Sequence, residues 1–177
     1  QTTGMPEING ALPLSKALWI AENEPDVRER TQKLLLLEDY IRLFLTGECA
    51  THASLSSSTG WLDIRTGNYW QAALDAAGLS RALLPEILPS GANAGKLTTQ
   101  AARYLGLRAG IPVFTGAMDQ TAAVLALCTR ENAAVETLGT AHVVAAATRK
   151  PVFDLVRRVT IYRHALEDPF VCLPLGK

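Results

Sequence analysis

The chain has 177 residues, 48% of them hydrophobic, enough to bury a core of one ordinary or two small domains. Seventeen Lys and Arg balance seventeen Asp and Glu, so no uniform field is available to hold nucleic acid or an anionic membrane. Cys49, Cys128 and Cys172 are odd in number and far apart, which excludes a disulfide framework and a zinc knuckle and fits a reducing, cytoplasmic setting. No run approaches the roughly 18 apolar residues of a membrane span.

Turn-forming residues dominate from Gln1 to Pro13. Ser15 is then expected to cap a helix over Lys16 to Asn23, closed by Pro25. Val27, Leu34, Leu37, Ile41 and Leu45 recur at helical spacing up to Gly47, a C-cap residue. The run Leu34 to Leu37 is apolar all round and leaves two arrangements open: one helix, or two with a break there and Asp39 capping the second.

Thr51 to Thr59 is crowded with hydroxyls and reads as a buried polar loop. Gly60 to Ile64 is a strand candidate. Trp70, Ala73, Leu74 and Ala77 form one helical face that Gly78 stops. Thr98 caps a helix over Thr99 to Leu105, closed by Gly106, and Ile111 to Thr115 is expected to be a short buried strand. This rhythm of helix, short loop and strand is that of α/β architecture. A helix of small residues, Thr121 to Leu127, follows Asp119. The segments Ala134 to Leu138, His142 to Thr148, Val159 to Arg163 and Val171 to Leu173 are strand-like, so a domain boundary is expected near residue 131.

Several suggestive motifs carry no chemistry. Gly91 to Thr98 imitates a phosphate loop, but it has three residues between its glycines and Leu97 where a magnesium-binding hydroxyl belongs, so it is expected to be an ordinary loop. His52, His142 and His164 have no partner at ligand spacing, which leaves no metal site in view. No Gly-x-Ser-x-Gly elbow occurs.

Two segments do place reactive groups at strand ends, where open α/β sheets bind ligands. In Thr115-Gly116-Ala117-Met118-Asp119-Gln120, the acid suits proton abstraction from a hydroxyl, and it equally suits capping of the helix that follows; the two roles are compatible. In Glu136-Thr137-Leu138-Gly139-Thr140-Ala141, the backbone amides and the Thr140 hydroxyl could cradle a phosphate, or the segment is a plain hairpin turn.

In order, these pieces resemble the FGGY family of carbohydrate kinases. Thr3-Gly4-Met5-Pro6 with Ser15-Lys16-Ala17-Leu18-Trp19 is similar to the family's TG.P…K..W stretch, and Thr51 to Ile64 to its TD.S.AS.T.LFD segment. Asp39-Tyr40 with Leu45 to Glu48, and Leu83-Leu84-Pro85 with Ser90-Gly91 and Gly95, resemble the pieces between. Gly110-Ile111-Pro112-Val113 running into Gly116 to Gln120 is similar to G.PV..G..D, and Leu138-Gly139-Thr140 to the family's GT turn.

The resemblance implies part of an actin-like, ribonuclease-H-like ATPase fold: residues 1–131 as the later part of the sugar-binding first domain and 132–177 as the opening strands of the ATP-binding second. It implies an enzyme that transfers the γ-phosphate of ATP, with Mg²⁺, to a hydroxyl of a pentulose, sugar acid or polyol. By position, Asp119 is the general base, Gln120 contacts the sugar, and Gly139 and Thr140 hold the terminal phosphates. A homodimer is among the assemblies left open. Ala11 stands near the place of the aromatic residue that contacts glycerol in glycerol kinases, which disfavours that substrate. Ala117-Met118 stands where Gly-Gly is common, and Ala141 where serine often follows Gly-Thr. The family's Asp-x-Gly-Thr loop and its Gly-rich adenosine motif do not occur in these residues. The expectation is therefore an inactive middle piece of a kinase; the rival is a non-catalytic kinase-fold module for sugar binding or assembly.

Overall fold

The computed structural model describes residues 2–127, 133–138, 142–166 and 170–173. Helix α1 spans Pro13–Asn23 and begins two residues before the expected cap at Ser15. Leu12 is its N-cap and makes no side-chain cap bond, because Pro13, with its fixed φ and no N–H to satisfy, starts the helix by itself. Helix α2 (Pro25–Arg30) also starts on proline. Residues 31–36 then break the helical run, and α3 (Leu37–Thr46) follows. The Leu36 amide donates to Asp39 Oδ2 at 3.3 Å, so Asp39 serves the second helix as expected. Gly47 ends α3 in the left-handed region at φ +79°.

Strand β1 (Ala50–His52) leads into the short helix α4 (Ala53–Ser56). The expected strand at Gly60 to Ile64 is not one: Leu62 makes a single bridge to Tyr69, and the Ile64 amide donates instead to Thr2 O at 2.8 Å. Its apolar residues nevertheless sink into the core, with Trp61, Leu62 and Ile64 all buried. Burial, rather than a ladder, is what their hydrophobicity encoded. Helix α5 (Gln71–Ala76) buries Leu74 completely, and strand β2 (Glu86–Leu88) pairs with β1 in parallel, in the register Ala50↔Glu86.

Half of the segment that imitates a phosphate loop forms strand β3 (Asn93–Lys96), where an ordinary loop was expected. Helix α6 (Thr99–Leu105) follows, with Thr98 Oγ1 accepting from the Ala101 amide at 3.2 Å and Gly106 closing it at φ +68°. Strand β4 (Pro112–Phe114) pairs antiparallel with β3 alone. It is not the buried strand expected: Pro112 and Phe114 are exposed and Val113 is half-buried, since a two-stranded ribbon covers neither edge nor both faces. Helix α7 (Asp119–Leu127) starts on the acid itself.

Strands β5 (Ala134–Leu138), β6 (His142–Thr148), β7 (Thr160–Arg163) and β8 (Phe170–Leu173) form one antiparallel sheet in the order β5-β6-β8-β7. Two apolar seams join it to the rest. On one, Val124 of α7 packs among Val135, Ala145, Val171 and Leu173. On the other, Ile64 packs with Ile161, Phe170 and Cys172.

The second seam has a backbone contact that only glycine permits. The Ile161 amide donates to Gly4 O at 2.9 Å, and a Cβ on Gly4, at φ +74°, would lie 2.2 Å from Ile161 O. Gly106 also has a left-handed φ but faces open space. Gly106→Ala should therefore cost about 1–2 kcal/mol for its backbone alone, whereas Gly4→Ala should cost clearly more, because it also displaces β7. Paired urea titrations of the two variants check this, and equal losses would refute the close approach.

Candidate active site

Asp119 stands at the first position of α7 with its side chain exposed, and its Oδ1 accepts from the Gln120 amide at 2.6 Å. Exposure gives a ligand access to the carboxylate. The bond to the adjacent amide differs from the usual N-cap bond, which reaches two or three residues into the helix, so helix capping does not fully occupy this group.

The peptide before it is held firmly. The Met118 amide donates to Ser54 Oγ at 3.2 Å, and Met118 O accepts from Thr121 Oγ1 at 2.8 Å and from the Ala122 amide at 2.8 Å. Three residues further back, buried Thr115 donates through its hydroxyl to Pro89 O at 2.6 Å, which fixes the exit of β4. Gln120 lies beside the acid, half-buried, with its Oε1 sealed from solvent and without a hydrogen-bond partner among the described residues. The carbonyl end of that amide thus faces inward and not toward an open ligand site. Gly139 and Thr140, the residues expected to hold phosphate, lie outside the described residues, as does Cys128.

Two features of this neighbourhood were not read from the sequence. Tyr162 of β7 packs against the cluster around Val124; burial raises the pKa of its phenol and the negative charge of Asp119 raises it further. The sequence marked its segment, Val159 to Arg163, only as strand-like. The second is a polar chain beneath Met118, buried except at its partly exposed Glu38 end. Ser54 Oγ lies 2.9 Å from His52 Nδ1, and His52 Nε2 lies 3.0 Å from Glu38 Oε1, with His52 and Ser54 fully buried. Hydroxyl crowding signalled burial there, which holds, but a loop where β1 and α4 stand, and nothing local tied Glu38 to it.

A cavity of about 550 Å³ lies elsewhere, among Arg65, Asn68, Ser90, Arg163 and His164, and Asp119 does not line it. Its cations are already engaged. Arg65 sits 4.8 Å over the Phe153 ring, and Arg163 donates to Arg65 O at 3.2 Å. Cys49 and Cys172 are free thiols, and no group of three or more His, Cys, Asp or Glu among the described residues could hold a metal. Nor is any helix of those residues long and apolar enough to cross a membrane.

Comparison with known proteins gives this arrangement its class. Residues 1–126 match the N-terminal domain of the FGGY family of carbohydrate kinases. The chain is 32% identical over 164 residues to a xylulose kinase of Lactococcus lactis subsp. lactis (strain IL1403), covering 92% of the chain and 32% of that protein. It is 35% identical over 127 residues to an L-fuculokinase of Salmonella typhi, covering 72% of the chain and 27% of that protein. A crystal structure of a xyloylose kinase from Brucella ovis superposes with a TM-score of 0.85 at 31% identity, over 97% of this chain and 36% of that one. The fold is a partial α/β, actin-like ATPase fold. The chain belongs to the FGGY family of carbohydrate kinases. It spans about a third of the length of the curated relatives it matches.

The cavity contains a titratable group whose sign can be worked out. His164 is buried, its Nδ1 accepts from the Leu166 amide at 3.0 Å, and burial holds its pKa below the ordinary 6.5. The unfolded chain therefore binds more protons than the folded one just below pH 6.5, and stability contributed by the neutral ring falls as pH drops through that window. Thermal unfolding at about pH 5 and pH 7.5 should show the midpoint rising with pH, and His164→Gln should flatten part of that rise. An identical slope in the variant would remove His164 as a source.

Proposed function

We propose that this chain is the acid-bearing part of a sugar kinase that transfers the γ-phosphate of ATP to a hydroxyl of a pentulose, sugar acid or polyol. The observation that carries the reading is an exposed carboxylate, Asp119, on a peptide anchored from both sides, within a chain of the FGGY family. Similarity to xylulose kinase supports a pentulose among the three acceptor classes.

In this reading Asp119 accepts the proton of the acceptor hydroxyl as its oxygen attacks the γ-phosphorus. The O–H bond breaks, the new P–O bond forms, and ADP leaves with the electrons of the bridging bond. Phosphoryl transfer depends mainly on positioning and charge neutralisation, so a fixed base on a rigid helix start is the contribution asked of this segment. Gln120 is assigned to the sugar, with its amide nitrogen as the end able to face it. Gly139 and Thr140 are assigned to the ATP phosphates. Mg²⁺ would arrive on those phosphates and be held by groups outside the described residues.

The division of labour follows the chain. Residues 1–131 would form the sugar-side domain and residues 132–177 the first strands of the nucleotide side, a split supported by the family match to residues 1–126 and by the antiparallel sheet that begins at Ala134. A cytoplasmic setting, where ATP is abundant, belongs to the same proposal.

In the full-length protein, Asp119→Asn should lower kcat roughly 100-fold or more if the carboxylate is the base. Near-normal turnover would leave Asp119 only its bond to the start of α7. The 177-residue chain by itself should show no ATP-dependent phosphorylation of a sugar panel in a coupled ADP-release assay. Turnover at even a few percent of the full-length rate would overturn the assignment of the remaining machinery to other segments.

A further inference from the structure

We infer that the chain Glu38–His52–Ser54, buried at its histidine and serine, is a positioning device for Asp119, acting through the Met118 amide. This inference rests on Asp119 being the general base. Hydrogen-bond bookkeeping fixes the state of the chain. His52 Nδ1 accepts from the Leu55 amide at 3.3 Å and so carries no proton, which leaves Nε2–H to donate to Glu38 Oε1. Ser54 Oγ accepts from the Met118 amide, and its own hydrogen points to His52 Nδ1 at 2.9 Å, where it shares that nitrogen's single lone pair with the Leu55 amide. The serine lone pair aimed at Met118 is thus oriented by the imidazole, and the imidazole by the carboxylate. Each member leaves the next with one orientation.

The far end of the chain is clamped as well. Arg42 pairs with Glu38, and its Nη1 donates to Asp39 Oδ1 at 3.0 Å and to Ala50 O at 2.7 Å, so α3 and β1 are tied at the point where Glu38 turns inward. The acid-bearing loop lies directly on this unit. A Cβ added at Gly116 would lie 3.5 Å from Glu38 Oε1, so the loop passes beside the relay at Gly116 and bonds to it at Met118.

A serine, a histidine and a carboxylate in series resemble the machinery of a hydrolase, but the geometry excludes that use. In hydrolytic triads the serine meets Nε2 and the acid meets Nδ1. Here the order is reversed, the serine is fully buried, and its lone pair is committed to a backbone amide. The residues are arranged to hold something still.

The test uses the full-length kinase and a double-mutant comparison. Ser54→Ala should lower kcat about 10-fold with KM for sugar and ATP within about twofold, since binding groups stay in place while the base loses its orientation. In the Asp119→Asn background the same substitution should change kcat less than about twofold, because a residue that acts only through the base has nothing left to act on. Amide exchange at Met118 should accelerate in Ser54→Ala while exchange in α6 stays unchanged. Should Ser54→Ala fail to fold, Glu38→Gln, which keeps an acceptor for His52 but removes its charge, should lower kcat about threefold with the same dependence on Asp119. An equal loss in both backgrounds, or unaltered Met118 protection in Ser54→Ala, would overturn the inference. Near-normal kcat in Asp119→Asn alone would instead remove the base assignment, and Met118 exchange would still show whether the relay holds the loop.

Discussion

The segment from Thr51 to Thr59 obliges much of the remaining structure to be where it is. It carries a histidine and five buried hydroxyl side chains, Thr51, Ser54, Ser56, Ser57 and Thr59, all excluded from water. A buried polar group without a partner costs about 1–3 kcal/mol, so the segment tolerates only an arrangement that satisfies nearly all of them at once. Part of the demand is met locally: Ser57 and Thr59 donate back to Ser54 O and Ser56 O at 2.7 and 2.6 Å. The rest is met by reaching outward. Ser57 Oγ accepts from the backbone amide of Arg163 in the antiparallel sheet, and Ser54 Oγ accepts from Met118 in the acid-bearing loop. One polar segment therefore sets the position of two distant pieces of chain relative to each other.

What the sequence revealed follows from how local each cause is. The end of α3 at Gly47, the cap at Thr98 and the stop at Gly106 depend on residues within four positions of one another, and all were legible; the break before Leu37 was one of two arrangements that the apolar run left open. Ser15 misled because a hydroxyl near a helix start is a good cap only where the chain needs one, and Pro13 had already begun the helix. Gly60 to Ile64 and Ile111 to Thr115 misled for a different reason. Apolar runs report burial or pairing without saying which; the first is buried without a ladder, and the second is paired while Pro112 and Phe114 stay exposed.

The site divides in the same way. Asp119 stood out because glycine and an acid follow a strand-like run within a few residues. The relay beneath it joins positions 38, 52, 54 and 118, and its longest link spans 64 residues, so no window of sequence contains it. Tyr162 reaches the same neighbourhood only because α7 and β7 share an apolar cluster. A chain with zero net charge can still concentrate its ionic interactions, as Glu38, Asp39 and Arg42 do within one turn of α3.

Helix α7 carries the final step of the argument. Its first residue is the exposed acid, while Val124, five positions on, is completely buried in the antiparallel sheet. Its leading peptide is bonded to Ser54 on one side and to its own first turn on the other. Rotation of the helix start would break the bond to Ser54, and translation of the helix would pull Val124 from its cluster. A base that must meet one hydroxyl oxygen in line with one phosphorus gains from losing both freedoms, because misplacement by about 1 Å can cost on the order of 100-fold in rate. The buried Thr121 and half-buried Ala123 are small and let the helix lie close to its neighbours, and the two anchors convert that closeness into a fixed direction for the carboxylate.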